Sequence, residues 1–281
     1  EIGADAIIKS RLRPWMHPTV FEKVRAGQSE MLSELRPATA LFMKFGGLDY
    51  DNDPEADKKL NAFIQWVEDI IAPHNGSIIQ FTVGDKGSYI YIVFGAPIAH
   101  RDDAAQAVFA ALELASPPES LAYMTDLFIG LAAGQMRVGA YGGAGHRTYG
   151  AIGDRTNLAA RLMVAASVSA AEIPTGQRAV ILCNESVYDA AKSQVEFESM
   201  PRVNVKGKTE TIAIYRPLRK LNENEVNAEV GSEHTQRIDD LPAGEQLTLK
   251  VASVIGQTFT FESLSAIYPE KRSDDVLKKH L

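Results

Sequence analysis

The sequence predicts an α+β domain of the ferredoxin-like, split βαβ kind, an antiparallel sheet with helices on one face. Three observations carry that expectation. Short apolar, β-rich runs alternate with segments of helical periodicity between Ala38 and Pro217. The first six elements follow the order β-α-β-β-α-β. The middle two strands are joined by a Gly-containing turn, the mark of a hairpin.

Taken in order, Ala38–Phe45 is a short apolar strand. A helix follows to Ile71, started by Asp53-Pro54, with Leu60, Phe63, Ile64, Val67 and Ile71 at helical spacing. Ser77–Val83 and Tyr89–Phe94 are the hairpin strands, and Asp102–Leu114 is an Ala-rich helix with Asp102 as its cap. Leu127–Ala133 and Arg137–Tyr141 read as separate strands, and Gly142-Gly143-Ala144-Gly145 as a turn into a hairpin. A second strong helix begins after Gly153, with Asp154 as its N-cap. A buried strand Ala179–Cys183, a short helix Glu185–Ala191 and strands near Arg202–Val205 and Thr211–Arg216 complete the domain.

The flanks differ in composition. Residues 1–37 read as a lead-in strap, with a rigid Pro14-Trp15-Met16-His17-Pro18 piece and a helix over Val20 to Leu35. The domain proper is 38–218, and 219–240 is a polar, acidic linker. Residues 241–281 are a helical segment rich in apolar side chains, among them Leu247, Leu249, Val251, Phe259, Phe261 and Leu264. So short a piece cannot bury that surface alone. The chain begins at Glu1, without Met, and is expected to be part of something longer.

Composition excludes several function classes. Lys plus Arg is 29 and Asp plus Glu is 36, a formal net charge of −7, which disfavours nucleic-acid and anionic-membrane binding. A single cysteine, Cys183, excludes an internal disulfide, fits a reducing, cytoplasmic setting and reads as a core thiol. No apolar window is long enough for a transmembrane span. No Gly-x-x-x-x-Gly-Lys-Ser/Thr loop is present, so no phosphate-loop ATPase is encoded here.

The most informative stretch is Gly153-Asp154-Arg155-Thr156-Asn157-Leu158-Ala159-Ala160-Arg161-Leu162-Met163. Asn157 and Arg161 are four apart and project from one helix face. An amide beside a guanidinium near a helix N-terminus suits a ribose oxygen and a phosphate. Taken alone, such a pair is also what any solvated helix face carries.

The stretch resembles the signature helix of the class III nucleotidyl cyclases, the adenylate and guanylate cyclase family. Further matches occur in order: Ala38-Thr39-Ala40-Leu41-Phe42, Gly84-Asp85-Lys86-Gly87-Ser88 before Phe94-Gly95-Ala96-Pro97, and Val205-Lys206-Gly207-Lys208. The likeness is greatest to the second cyclase domain of soluble, bicarbonate-regulated adenylyl cyclases and their bacterial relatives. Residues 241–281 resemble part of the winged-helix-like module that follows the ATPase core in large signalling ATPases. The resemblance implies a cyclase fold in which Asn157 orients the ribose and Arg161 stabilises the pentavalent phosphate. It implies that Lys206, or Lys208, binds the triphosphate and that Lys86 contacts adenine. Lys206 and Lys208 also fit a charged edge strand, and Lys86 also fits a plain turn.

The family's metal ligands are not matched. The first, two residues after the strand Phe, is Lys44, whose ammonium cannot ligate Mg²⁺. Counting back from Phe94 to the second reaches Ser88, with Asp85 three residues earlier in a lengthened turn. Asp49, Asp51 and Asp53 suggest a calcium loop, but its Gly and terminal Glu are missing, so a solvated acidic turn is expected. The family's base-reading position, seven before Asn157, is Gly150. The expectation is therefore a second-type half of an adenylyl cyclase, with no metal ligand of its own. It would take ATP together with a partner cyclase domain whose ligands supply Mg²⁺ or Mn²⁺. A catalytically inactive, regulatory or nucleotide-sensing domain is the competing expectation, and a homodimer with two defective sites a third.

Overall fold

The computed structural model describes residues 16, 20–21, 34–84, 87–143, 146–169, 179–203, 211–222, 248, 251 and 260–267. The chain divides into two units, Glu1–Leu221 and Asn222–Leu281.

Strand β1 (Glu34–Gly46) is central and buried on both sides, which is why it reads as one apolar run. Leu41, Met43 and Phe45 enter one core and Ala38, Ala40 and Phe42 the other. Helix α1 (Ala56–Ile71) buries Phe63, Val67 and Ile71 at four-residue spacing. β2 (Gly76–Thr82) and β3 (Ser88–Phe94) form the expected hairpin. Helix α2 (Asp103–Leu114) follows, then β4 (Thr125–Gly142) and β5 (Arg147–Ile152), then α3 (Asp154–Ser169). β6 (Ala179–Asn184), α4 (Glu185–Ala191), β7 (Val195–Val203) and β8 (Ile212–Lys220) complete the first unit.

The sheet order is β2-β3-β1-β4-β6-β8-β7, with β5 paired to β4. Its β2-β3-β1-β4 half is antiparallel throughout, the ferredoxin-like core that the element order predicted. Two features depart from expectation. β6 runs parallel to β4, Leu127 opposite Ala179 through Leu131 opposite Cys183. Helices also cover both faces, with α1, α2 and α4 on one and α3 on the other. The two departures share a cause, because a parallel neighbour needs a crossover and α3 lies on that connection. Asn184 extends the junction, its Oδ1 accepting from the Ala133 amide at 3.1 Å.

Several local readings are corrected. Glu34 and Leu35 belong to β1, so the lead-in helix does not reach Leu35. β4 is one strand, not two, because Gly134 takes φ +148° without breaking the ladder to β1. Asp102 is the N-cap residue of α2, but its carboxylate bonds Gln106 Nε2 at 2.6 Å instead of a backbone amide. Asp154 is the first helical residue of α3, not its cap. β7 begins at Val195, well before Arg202, and 204–210 lie outside the described residues. Cys183 is a buried free thiol, and burial raises its pKa.

Of the second unit, α5 (Phe261–Ile267) is described, with Thr248 and Val251 also helical. Thr260 Oγ1 accepts from the Ser263 amide at 3.2 Å, an N-cap bond. The rest of the tail's expected helices, nearly all of the expected linker and most of the lead-in strap lie outside the described residues. No helix among the described residues is long and apolar enough to cross a membrane.

Candidate active site

Helix α3 is seated directly on the sheet. Leu158, Ala159, Leu162, Met163 and Ala166 are its buried residues. Opposite them stands Gly130 of β4, where an added Cβ would collide with Ala159 O and Met163 N and lie 2.8 Å from Leu162 C. The absent side chain at Gly130 is what lets the helix backbone approach. A glycine inside the apolar run Ile129-Gly130-Leu131 is the sequence signal of such an approach, and reading by periodicity alone passes over it.

This seating turns Asn157 and Arg161 outward, and both are exposed. They stand one turn apart on the N-terminal half of the helix, where the free amides and dipole favour an anion. Neither side chain hydrogen-bonds or ion-pairs with another described residue. The same stripe continues through Val164 and Val168, exposed at 55% and 66%. Arg155 lies back over Gly134, whose added Cβ would meet its Nε at 2.7 Å.

Lys44 lies on the sheet face that α3 covers, in register between Tyr89 and Phe128. Its Nζ is 5.9 Å from the Phe128 ring centroid and beside the Gly87 turn. Ser88 pairs with Phe45 and so points to the opposite face, where it is buried and 3.3 Å from the Tyr50 hydroxyl. The residues at these two positions do not fit a divalent ion, since one is cationic and the other faces away. Among the described residues no group of three or more His, Cys, Asp or Glu side chains could hold a metal.

The acidic loop is occupied with itself. Asp49 Oδ1 accepts from the amides of Asp51 and Asn52 at 3.2 and 3.1 Å, an Asx-type turn. Asp53 pairs with Lys59 at 2.6 Å and accepts from the Glu55 amide. The Asn52 and Lys59 hydrogen bonds hold the Asp49 and Asp53 carboxyls below their ordinary pKa.

Gly150 is buried in β5 opposite Gly139. An added Cβ there would meet only the Tyr141 ring, at 3.7 Å, so the position is vacant of any side chain that could read a base. Asp85, Lys86, Lys206 and Lys208 lie outside the described residues.

Comparison with known proteins agrees with this architecture. No protein-family model matches the chain. Human adenylate cyclase type 10 is 22% identical over 215 residues, 75% of this chain. That alignment takes in only 13% of the human protein's length. Among solved structures, the guanylyl cyclase Cya2 is 25% identical and superposes with a TM-score of 0.54, covering 69% of this chain and 97% of that one. The adenylyl cyclase CyaB from P. aeruginosa gives a TM-score of 0.56 at 19% identity, covering 68% of this chain and 98% of that one. The chain has the fold of adenylyl and guanylyl cyclase catalytic domains. Within this cyclase-like fold, the sheet and α3 present Asn157 and Arg161 to solvent, and Lys44 lies on the sheet face that α3 covers.

Proposed function

We propose that this cyclase domain is the second-type half of an adenylyl cyclase, working with a metal-bearing partner domain to make cyclic AMP and pyrophosphate from ATP. The observation that carries this reading is the pairing of exposed, uncommitted Asn157 and Arg161 with a lysine at position 44. In the reaction the ribose 3′-oxygen bonds to the α-phosphorus, its proton is lost and pyrophosphate leaves. Asn157 orients the ribose, and the Arg161 guanidinium meets the charge that grows on the pentavalent phosphate. Lys206, with Lys208 as alternative, binds the triphosphate, and Lys86 faces the adenine. Mg²⁺ or Mn²⁺ would be held by the partner's carboxylates, since Lys44 and Ser88 are unsuited to it. The exposed Val164–Val168 continuation of the stripe suits a surface that a partner domain covers. On this reading the assembly is a cytoplasmic dimer of cyclase domains.

A second reading is supported by Gly150, which leaves no side chain to read the base. The domain would then be a catalytically inactive regulatory or nucleotide-sensing module.

Assay of the chain alone and mixed with a metal-bearing class III cyclase domain separates the two. Alone it is expected to stay below about 1 s⁻¹, an ordinary enzyme rate, with either metal. Cyclic AMP formation only in the mixture supports the catalytic half. Turnover by the pure chain would sink the metal-deficient reading.

Lys44→Asp alone is expected not to create a tight Mn²⁺ site in calorimetric titration. Adding Ser88→Asp is expected not to help, because that carboxylate would be buried beside Phe45 on the other face. It should destabilise the fold by about 3 kcal/mol, the scale of a buried unsatisfied polar group. Tight binding by the single variant would point to Asp85 as a second ligand.

A further inference from the structure

The strand-to-helix junction that presents Asn157 is fastened by hydroxyls. β5 ends at Ile152, Gly153 turns the chain at φ +149°, and α3 begins at Asp154. Across this junction the Ala151 carbonyl accepts from the Tyr91 hydroxyl at 2.7 Å and from Thr156 Oγ1 at 3.2 Å. The two hydroxyl oxygens are 3.3 Å apart, and Thr156 Oγ1 is 3.8 Å from Met136 Sδ. Tyr91 comes from β3, which is not a neighbour of β5 in the sheet, and its ring stacks on Phe42 at 4.4 Å. Burial pushes the Tyr91 hydroxyl pKa up to about 12, so it remains a donor at neutral pH. The backbone bond that closes the first turn, Asn157 N to Gly153 O, is 3.3 Å long.

Packing alone does not require these hydroxyls. Phe at 91 and Val at 156 would fill nearly the same volume, yet two hydroxyls converge on one carbonyl. Thr156 is also the residue immediately before Asn157, so whatever fixes its rotation about the helix axis fixes that of Asn157 and, one turn on, Arg161. The buried face of α3 sets how closely the helix approaches the sheet. The hydroxyl contacts set where its first turn begins.

We propose that Tyr91 and Thr156, clamped on the Ala151 carbonyl, are positioning residues that set Asn157 and Arg161 for reaction at the nucleotide. The catalytic part of this proposal rests on the reading of the domain as an adenylyl cyclase half.

The test compares Tyr91→Phe, Thr156→Val and Thr156→Ser in the full chain. Amide hydrogen exchange on the chain alone should quicken about tenfold at Asn157 and Leu158 in the first two, the scale of one lost hydrogen bond. Exchange in α1 and at the C-terminal end of α3 should not change. In the mixture with a metal-bearing cyclase domain, the same two variants should lose about tenfold in kcat with KM within about twofold, as misplacement of reacting groups predicts. Thr156→Ser, which keeps the hydroxyl, should restore both readouts. Unchanged exchange at Asn157, or a uniform rise across the domain, overturns the clamp. Faster local exchange with unaltered kcat overturns its positioning role. A wild-type mixture without activity counts against the cyclase-half reading, and the exchange result still decides the clamp.

Discussion

Gly130→Ala is expected to unseat α3 and abolish any activity that depends on Asn157 and Arg161. The added methyl would overlap Ala159 O and Met163 N, which are helix backbone and cannot rotate away as a side chain could. Either the whole helix moves off the sheet or β4 bends, and both disturb the core of Leu158, Leu162 and Ala132. Overpacking of this kind costs about 1–3 kcal/mol and sometimes more. At the upper end, the melting temperature should fall by roughly 6–12 °C for a domain of this size. The effect on turnover should be larger still, since a displacement near 1 Å can cost about 10²-fold. Gly84→Ala is the matched control, because among the described residues nothing lies within 4 Å of its added Cβ. Thermal melts of the two variants decide the matter. A Gly130→Ala protein that melts with the wild type would show that α3 does not sit as tightly as described.

Arg161→Ala, assayed with a metal-bearing partner domain, is expected to lower turnover by about 10²–10³, roughly 3–4 kcal/mol of transition-state stabilisation. In its proposed role the guanidinium meets charge that appears only as the phosphate becomes pentavalent, so KM should change little. Stability should not change either, because Arg161 is exposed and takes no part in the cores on the two sheet faces. Asn157→Ala should act in the same direction but more mildly, since its proposed role is to orient the ribose and not to meet a charge. If Lys206 binds the triphosphate as proposed, Lys206→Ala should instead raise KM, since those phosphates are charged already in the ground state. Wild-type turnover in Arg161→Ala would make the signature helix a structural relic and favour the regulatory reading.

Most of the sheet was legible because alternation and helical spacing are properties of neighbouring residues. β2, β3, α1 and α4 follow directly from such local patterns, and α4 has the expected bounds. The misread places are those where a distant contact outweighs a local signal. Leu127–Ala133 and Arg137–Tyr141 read as separate strands, yet the ladder to β1 carries β4 from one to the other through Gly134. Asp102 looked like a cap, and its carboxylate went to Gln106 instead.

By itself, then, the sequence determined the element order, the ferredoxin-like half of the sheet, the buried thiol of Cys183 and the placing of Asn157 and Arg161 one turn apart. Those depend on the pattern along the chain, which is set by backbone periodicity. Tertiary structure alone decided that α3 takes the second face, that Gly130 admits its backbone, that Ser88 and Lys44 lie on opposite faces, and that Tyr91 reaches Ala151 and Thr156. Each of these joins residues far apart in the chain, through sheet pairing and steric room that no local pattern encodes.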